Sequence, residues 1–221
     1  MKYELVIFDL DGTILDTLED LADSMNHALA KYGYPTRTID EVRSFVGNGL
    51  LMLTRKAIAP ETDEEMIQTV LAEQKAYYKE HCADKTKPYE GIMELLDALK
   101  ANGCKLAVVS NKADYAVQIL CEQYFPGIFH LTVGEKEGVR RKPAPDSVNT
   151  VLKELQVERV NAVYIGDSEV DIETAENAQM QAVLVDWGFR DAKFLEEKGA
   201  KTLVHTVKEL KSALIAEPFL L

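Results

Sequence analysis

A chain of 221 residues with 47% apolar and 28% charged residues has the composition of an ordinary globular protein, long enough for one large domain or a domain with a sizeable insert. Its formal net charge of -12 argues against nucleic acid or an anionic membrane as the main partner, because phosphate-rich surfaces would be repelled. No apolar run approaches a membrane span, the amino terminus turns acidic before a signal-like core develops, and Cys82, Cys104, Cys121 and the four histidines lack metal-ligand spacing; we therefore expect a cytoplasmic chain with reduced thiols and no zinc site.

The first apolar run, Leu5-Val6-Ile7-Phe8, predicts a central parallel strand buried on both faces. It leads straight into Asp9-Leu10-Asp11-Gly12-Thr13. Two carboxylates this close repel each other, so the pair makes most sense around a cation. Gly12 lets backbone pass near a ligand, and the amides of Gly12 and Thr13 are candidate donors to an anion. A strand followed by a polar turn is the plainer alternative. A calcium loop is excluded, since Ile14 stands where that loop needs glycine and Asp20 where it needs glutamate.

From Asp16 to about Asp84 the pattern is helical, with no strand. Leu18, Leu21, Ala22, Met25, Leu29 and Tyr32 fall on one helix face, and Gly33 stops it. Thr38 with Glu41 reads as a capping box for a short helix ending near Gly47-Asn48-Gly49. A third helix spans Leu50 to Ala59, and Thr62 with Glu65 opens a long one towards Cys82. From Pro88 onward helix and strand alternate. Strands are predicted at Leu106–Val109, Leu131–Val133, Ala162–Ile165, Ala182–Val185 and, at the edge, Leu203–Val204. Helices separate them, the last from Val207 to Ile215. The pattern predicts a doubly wound parallel α/β sheet with a small all-helical domain inserted after the first strand: a core of residues 1–15 and 85–221, and an insert of residues 16–84.

In such sheets ligands bind beyond the carboxyl ends of the strands. There the sequence places Ser110-Asn111-Lys112, whose hydroxyl, amide and cation suit phosphoryl oxygens, with an N-cap and turn as an equal alternative. Ser110 lacks the glycine-flanked elbow of a hydrolase nucleophile. The loop Arg140-Arg141-Lys142-Pro143 could fix Lys142 towards the site as a point charge, or simply be solvated. Gly166-Asp167-Ser168 follows the strand at 162–165; Asp167 adds a carboxylate to the cation site, while for Asp171 helix capping competes with a site role.

Asp-Leu-Asp-Gly-Thr, Ser-Asn-Lys, Lys-Pro and Gly-Asp-Ser-x-x-Asp, in this order and each at a predicted strand end or the loop beyond it, resemble the four motifs of the haloacid dehalogenase superfamily. The helical insert resembles members with a cap in that position. Phe45-Val46-Gly47-Asn48-Gly49, Arg55 on the next helix, and Asp186-Trp187-Gly188-Phe189 look like phosphoglycolate phosphatases, with related pyrophosphatases and nucleotidases sharing parts of them.

The resemblance implies a Mg2+-dependent phosphomonoester hydrolase acting on a small phosphorylated metabolite, phosphoglycolate being the leading candidate. It makes Asp9 the nucleophile, through an aspartyl-phosphate, and Asp11 the acid and base. Asp9, the Asp11 carbonyl and Asp167 would hold the metal, hard oxygens suiting magnesium better than zinc or copper. Gly12, Thr13, Ser110, Asn111 and Lys142 would serve phosphate and substrate, with Asp171 in support. Gly47, Asn48, Gly49 and Arg55 are cap candidates for substrate choice; Arg55 reads either as a partner for a substrate carboxylate or as part of a solvated helix face. A pyrophosphatase, a 5′-nucleotidase, a phosphosugar mutase and a non-catalytic metal- or phosphate-binding regulator are the alternatives. Dehalogenation is disfavoured by Asp11. Monomer and homodimer both remain open.

Overall fold

Strand β1 (Leu5–Phe8) is fully buried and lies at the middle of the molecule. The structure, a computed structural model, is described for residues 2–215; the outer ends of the expected core, residue 1 and residues 216–221, lie outside the described residues. After β1 the chain makes a short strand β2 (Leu15–Asp16) and then helices α1 (Leu18–Lys31), α2 (Ile39–Phe45), α3 (Gly49–Ala57) and α4 (Glu64–His81). It returns through β3 (Lys87–Pro88), antiparallel to β2, and continues with α5 (Ile92–Ala101), β4 (Lys105–Ala113), α6 (Asp114–Tyr124), β5 (Leu131–Glu135) and α7 (Asp146–Leu155). The remainder is β6 (Ala162–Gly166), α8 (Glu169–Asn177), β7 (Gln181–Val185), α9 (Ala192–Glu197), β8 (Leu203–Val204) and α10 (Val207–Leu214).

Six strands form one parallel sheet in the order β5-β4-β1-β6-β7-β8. The alternation of side chains explains why β1 reads as an unbroken apolar run. Val6 and Phe8 pack towards α5, α6 and α10, whereas Leu5 and Ile7 pack towards α7 and α8. The chain extends from β1 to β4 and β5 on one side, then crosses to β6, β7 and β8 on the other. The carboxyl end of β1 therefore lies where the two halves part, the place such sheets leave open for a ligand.

The predicted doubly wound sheet is present with all six strands. Several local expectations change. The two-residue strands β2 and β3 escape notice because so short a ribbon has no periodicity. Helix α9 escapes for a related reason, having only Leu195 buried. Strand β4 runs on through Ser110-Asn111-Lys112 with a register shift, instead of ending before them. Helix α3 ends at Ala57, and the start of α4 is capped by Asp63, whose carboxylate accepts from Met66 N at 2.8 Å, not by a Thr62–Glu65 box. The Thr38–Glu41 box is formed.

The chain leaves the sheet near Asp16 and comes back near Lys87, and one buried carboxylate joins the two crossings. Asp20, in the first turn of α1, accepts from Lys85 N at 3.0 Å, Thr86 N at 2.8 Å and Thr86 Oγ1 at 2.7 Å. The apolar side of α1–α4 is continuous with the core through Leu21, Met25, Leu53 and Tyr78. Among the described residues no helix is long and apolar enough to cross a membrane.

Candidate active site

Asp9 is the first residue beyond β1, and its backbone N still donates to Ile165 O at 2.8 Å. The chain then coils tightly. Leu10 O accepts from Ile14 N at 3.1 Å and Leu15 N at 3.0 Å, and Gly12 adopts φ +84°. A Cβ on Gly12 would run into the Asp167 carboxylate, and so would one on Gly188 from the opposite side. Glycine at both positions is what lets Asp167 sit against the first loop.

This coil corrects one expectation. Gly12 N donates to Leu15 O at 2.9 Å and Thr13 N to Leu10 O at 3.4 Å, so both amides turn inward. Among the described residues the Leu10 and Asp11 amides have no backbone acceptor.

Lys142 is buried at the centre of the acidic residues. Its Nζ lies 2.9 Å from Asp9 Oδ1, 2.8 Å from Asp171 Oδ1 and 3.0 Å from the Tyr164 hydroxyl. Burial alone would lower the ammonium's pKa; the Asp171 and Asp9 carboxylates instead push it well above the ordinary lysine value, so it stays charged. Asp171 divides its two oxygens. Oδ1 takes Lys142 and Tyr164, while Oδ2 accepts from Asp167 N, Ser168 N and Ser168 Oγ at the start of α8. Asp171 thus caps α8 and contacts Lys142 at the same time.

The donor set fits a hard cation. Carboxylate oxygens of Asp9, Asp167 and Asp171 lie within 4.8 Å of one another. Burial, opposed in part by Lys142 and aided by Asp171 and Asp11, raises the Asp9 pKa to about 7, and burial beside Asp171 and Asp9 raises Asp167 as well. Asp9 Oδ1 faces Lys142 at an angle outside hydrogen-bond geometry and, among the described residues, has no donor. With both Asp171 oxygens already engaged, Asp9 and Asp167 are the carboxylates left to face a divalent ion.

Asp11 points into the same cavity. Its Oδ1 accepts from Thr17 Oγ1 at 2.7 Å and from Lys112 Nζ at 2.8 Å. Lys112 also donates to the hydroxyl of Tyr78, which reaches in from α4. Ser110 lines the cavity directly.

Asn111 lines the cavity, and its Nδ2 donates to Gly47 O at 3.2 Å and Lys142 O at 3.1 Å. Gly47 and Gly49 line the cavity, and Asn48 O accepts from Arg141 Nη1 at 3.1 Å. Arg190, which the sequence reading passed over, holds the same stretch by donating to Arg43 O and Val46 O, each at 3.0 Å, while Glu169 fixes its other edge at 2.9 Å. Arg55 lies away from the cavity, exposed, with Nη2 at 2.8 Å from both oxygens of Glu64.

The family model for haloacid dehalogenase-like hydrolases matches residues 6–185. A phosphoglycolate phosphatase from Pseudomonas savastanoi pv. phaseolicola is 30% identical over 94% of this chain and 78% of its own length. The phosphoglycolate phosphatase of Aquifex aeolicus is 34% identical over 84% of this chain and 85% of its own. Among solved structures, a protein from Lactobacillus delbrueckii subsp. bulgaricus provisionally named as a phosphoglycolate phosphatase superposes with a TM-score of 0.93 at 40% identity, covering 98% of this chain and 100% of that one.

Proposed function

This chain belongs to the haloacid dehalogenase-like hydrolase family and is a phosphatase, and on that premise we propose that it hydrolyses phosphoglycolate through a phosphorylated Asp9. The observation that carries the reading is the convergence of Asp9, Asp11, Ser110 and Lys142 on one cavity in a chain whose relatives bear that enzyme's name.

Asp9 attacks phosphorus while the leaving alcohol takes a proton from Asp11. Water then attacks the Asp9 phosphoryl group, giving up its proton to Asp11, and phosphate departs. Ser110, Lys142 and the Leu10 and Asp11 amides hold the phosphoryl oxygens, which is most of what phosphoryl transfer asks of a protein. Asp171 keeps Lys142 in place between them. Magnesium, held by Asp9, the Asp11 carbonyl and Asp167, supplies positive charge for those oxygens when bound. The helical segment 16–84 serves as a cap that excludes water from the cavity and meets the leaving group.

Purified protein should hydrolyse phosphoglycolate with magnesium and lose that activity in excess chelator, with recovery on adding the ion back. Unchanged turnover in chelator would contradict the metal site. Turnover of aryl phosphate but not of phosphoglycolate would contradict the substrate.

A further inference from the structure

The apolar part of the cavity lining is built from Leu21, Val46, Leu50, Leu53 and Phe189. Such a wall suits a short leaving group and offers nothing to several sugar hydroxyls. A carboxylate on that leaving group needs donors, and three cationic side chains line the cavity among the described residues: Lys142, Arg190 and Lys112.

Two of these are engaged. Lys142 donates to Asp171 and Tyr164, and its charge is shared between the Asp171 and Asp9 carboxylates, 2.8 and 2.9 Å away. Arg190 is spread over Glu169 and the carbonyls of Arg43 and Val46. Lys112 differs. Its Nζ has two partners, Asp11 Oδ1 and the Tyr78 hydroxyl, and among the described residues no third. The Tyr78 hydroxyl accepts that bond, which leaves its own hydrogen without an acceptor among the described residues although the side chain is only 1% exposed. Burial raises the phenol's pKa, so the hydrogen stays on. An ammonium N–H and a phenol O–H, adjacent and both unspent, therefore stand beside the acid that faces the leaving oxygen.

We propose that Lys112 and Tyr78 together bind the carboxylate of the substrate, making them the specificity-determining pair for a short phosphorylated hydroxy acid. The proposal rests on the phosphatase reading above and names the part of the site that selects the leaving group. In phosphoglycolate only one carbon separates the ester oxygen from the carboxylate, so a donor pair bonded to Asp11 is in the neighbourhood such a substrate requires. Lys112 comes from β4 and Tyr78 from α4, so the pair is complete only with the helical segment seated on the sheet. Arg55, the candidate from sequence, is spent on Glu64 outside the cavity.

The test compares phosphoglycolate with its neutral isostere, the phosphate ester of glycolamide, on the same enzyme preparation, so that the ratio of kcat/KM is independent of the folded fraction. A hydrogen bond between charged groups is worth enough to give the native enzyme a preference of roughly 10- to 100-fold for the carboxylate. Lys112→Met should bring the ratio close to one, and Tyr78→Phe should reduce it by a smaller factor. The native-enzyme comparison needs no variant and stands even where Lys112→Met fails to fold. Equal turnover of both esters by native enzyme, or a Lys112→Met loss that is the same for both, would overturn the assignment while leaving the phosphatase reading intact. Turnover of neither ester, with an aryl phosphate still hydrolysed, would remove the substrate reading and this assignment together.

Discussion

Asp167 and Asp9 are carboxylates in a place that disfavours their charge: burial raises both, and Asp171 and Asp9 add to the cost of ionising Asp167. Asp167 is kept there by Phe189 N, which donates to Oδ2 at 2.7 Å, and by two glycines that leave it room. Asp167→Asn keeps an acceptor for Phe189 and removes one negative charge from the cluster. In chelator this variant should melt higher than the native protein, by a margin on the order of 1 kcal/mol, while its activity requires far more magnesium or vanishes. A thermal melt in chelator and a metal titration of activity measure the two effects; a lower melting point for the variant would mean that the carboxylate contributes bonds not accounted for above. At this scale the four motifs were legible because each is a short local run at a strand end. The partners of Lys112 were not. It meets Tyr78 across 34 residues and Asp11 across 101, and no local pattern encodes such pairs. The inward turn of the Gly12 and Thr13 amides was hidden for a different reason, since composition suggests a turn there but not which carbonyl it closes on.

Helix α1 is more than the first helix of the inserted segment, because its opening turn carries the bond that ties both chain crossings. Asp20 is buried and accepts from two amides and a hydroxyl of Lys85 and Thr86, just before the returning strand β3. Asp20→Ala would leave the Lys85 and Thr86 amides without a partner, Thr86 Oγ1 keeping Cys82 O at 3.1 Å, at a cost of about 1–3 kcal/mol for each amide that water does not reach. We expect urea denaturation to show a loss near 3 kcal/mol, with hydrogen exchange rising first at residues 85–87. A loss of only a few tenths of a kcal/mol would show that the ribbon of β2 and β3 holds without it. The elements themselves were readable where periodicity is long, as in α1 and the buried strands. They were obscured where an element is two residues long or, as in α9, buries a single side chain.

For the whole molecule, the decisive arrangement is a sheet end covered by a helical segment that the core grips by its backbone. Asn111, Arg141 and Arg190 donate to the carbonyls of Gly47, Asn48, Arg43 and Val46, a part of the grip that does not depend on the side chains those four residues carry. The side chains of the segment are then available to shape the cavity, as Leu50, Leu53 and Tyr78 do. The central claim for this arrangement is that the phosphoryl group passes through Asp9, with Asp11 acting on the protons. The most direct measurement is to quench the enzyme in acid during turnover of a radiolabelled aryl phosphate and map the labelled peptide. The leaving group of such a substrate needs little protonation, so Asp11→Ala should still take up label and should accumulate it, because water lacks its base; general acid-base help of this kind is worth roughly 10²–10⁴ in rate. Label on the peptide containing Asp9 in native enzyme and in Asp11→Ala, and none in Asp9→Ala, is the predicted result. Label in Asp9→Ala, or label mapping to Ser110 in the native enzyme, would contradict it.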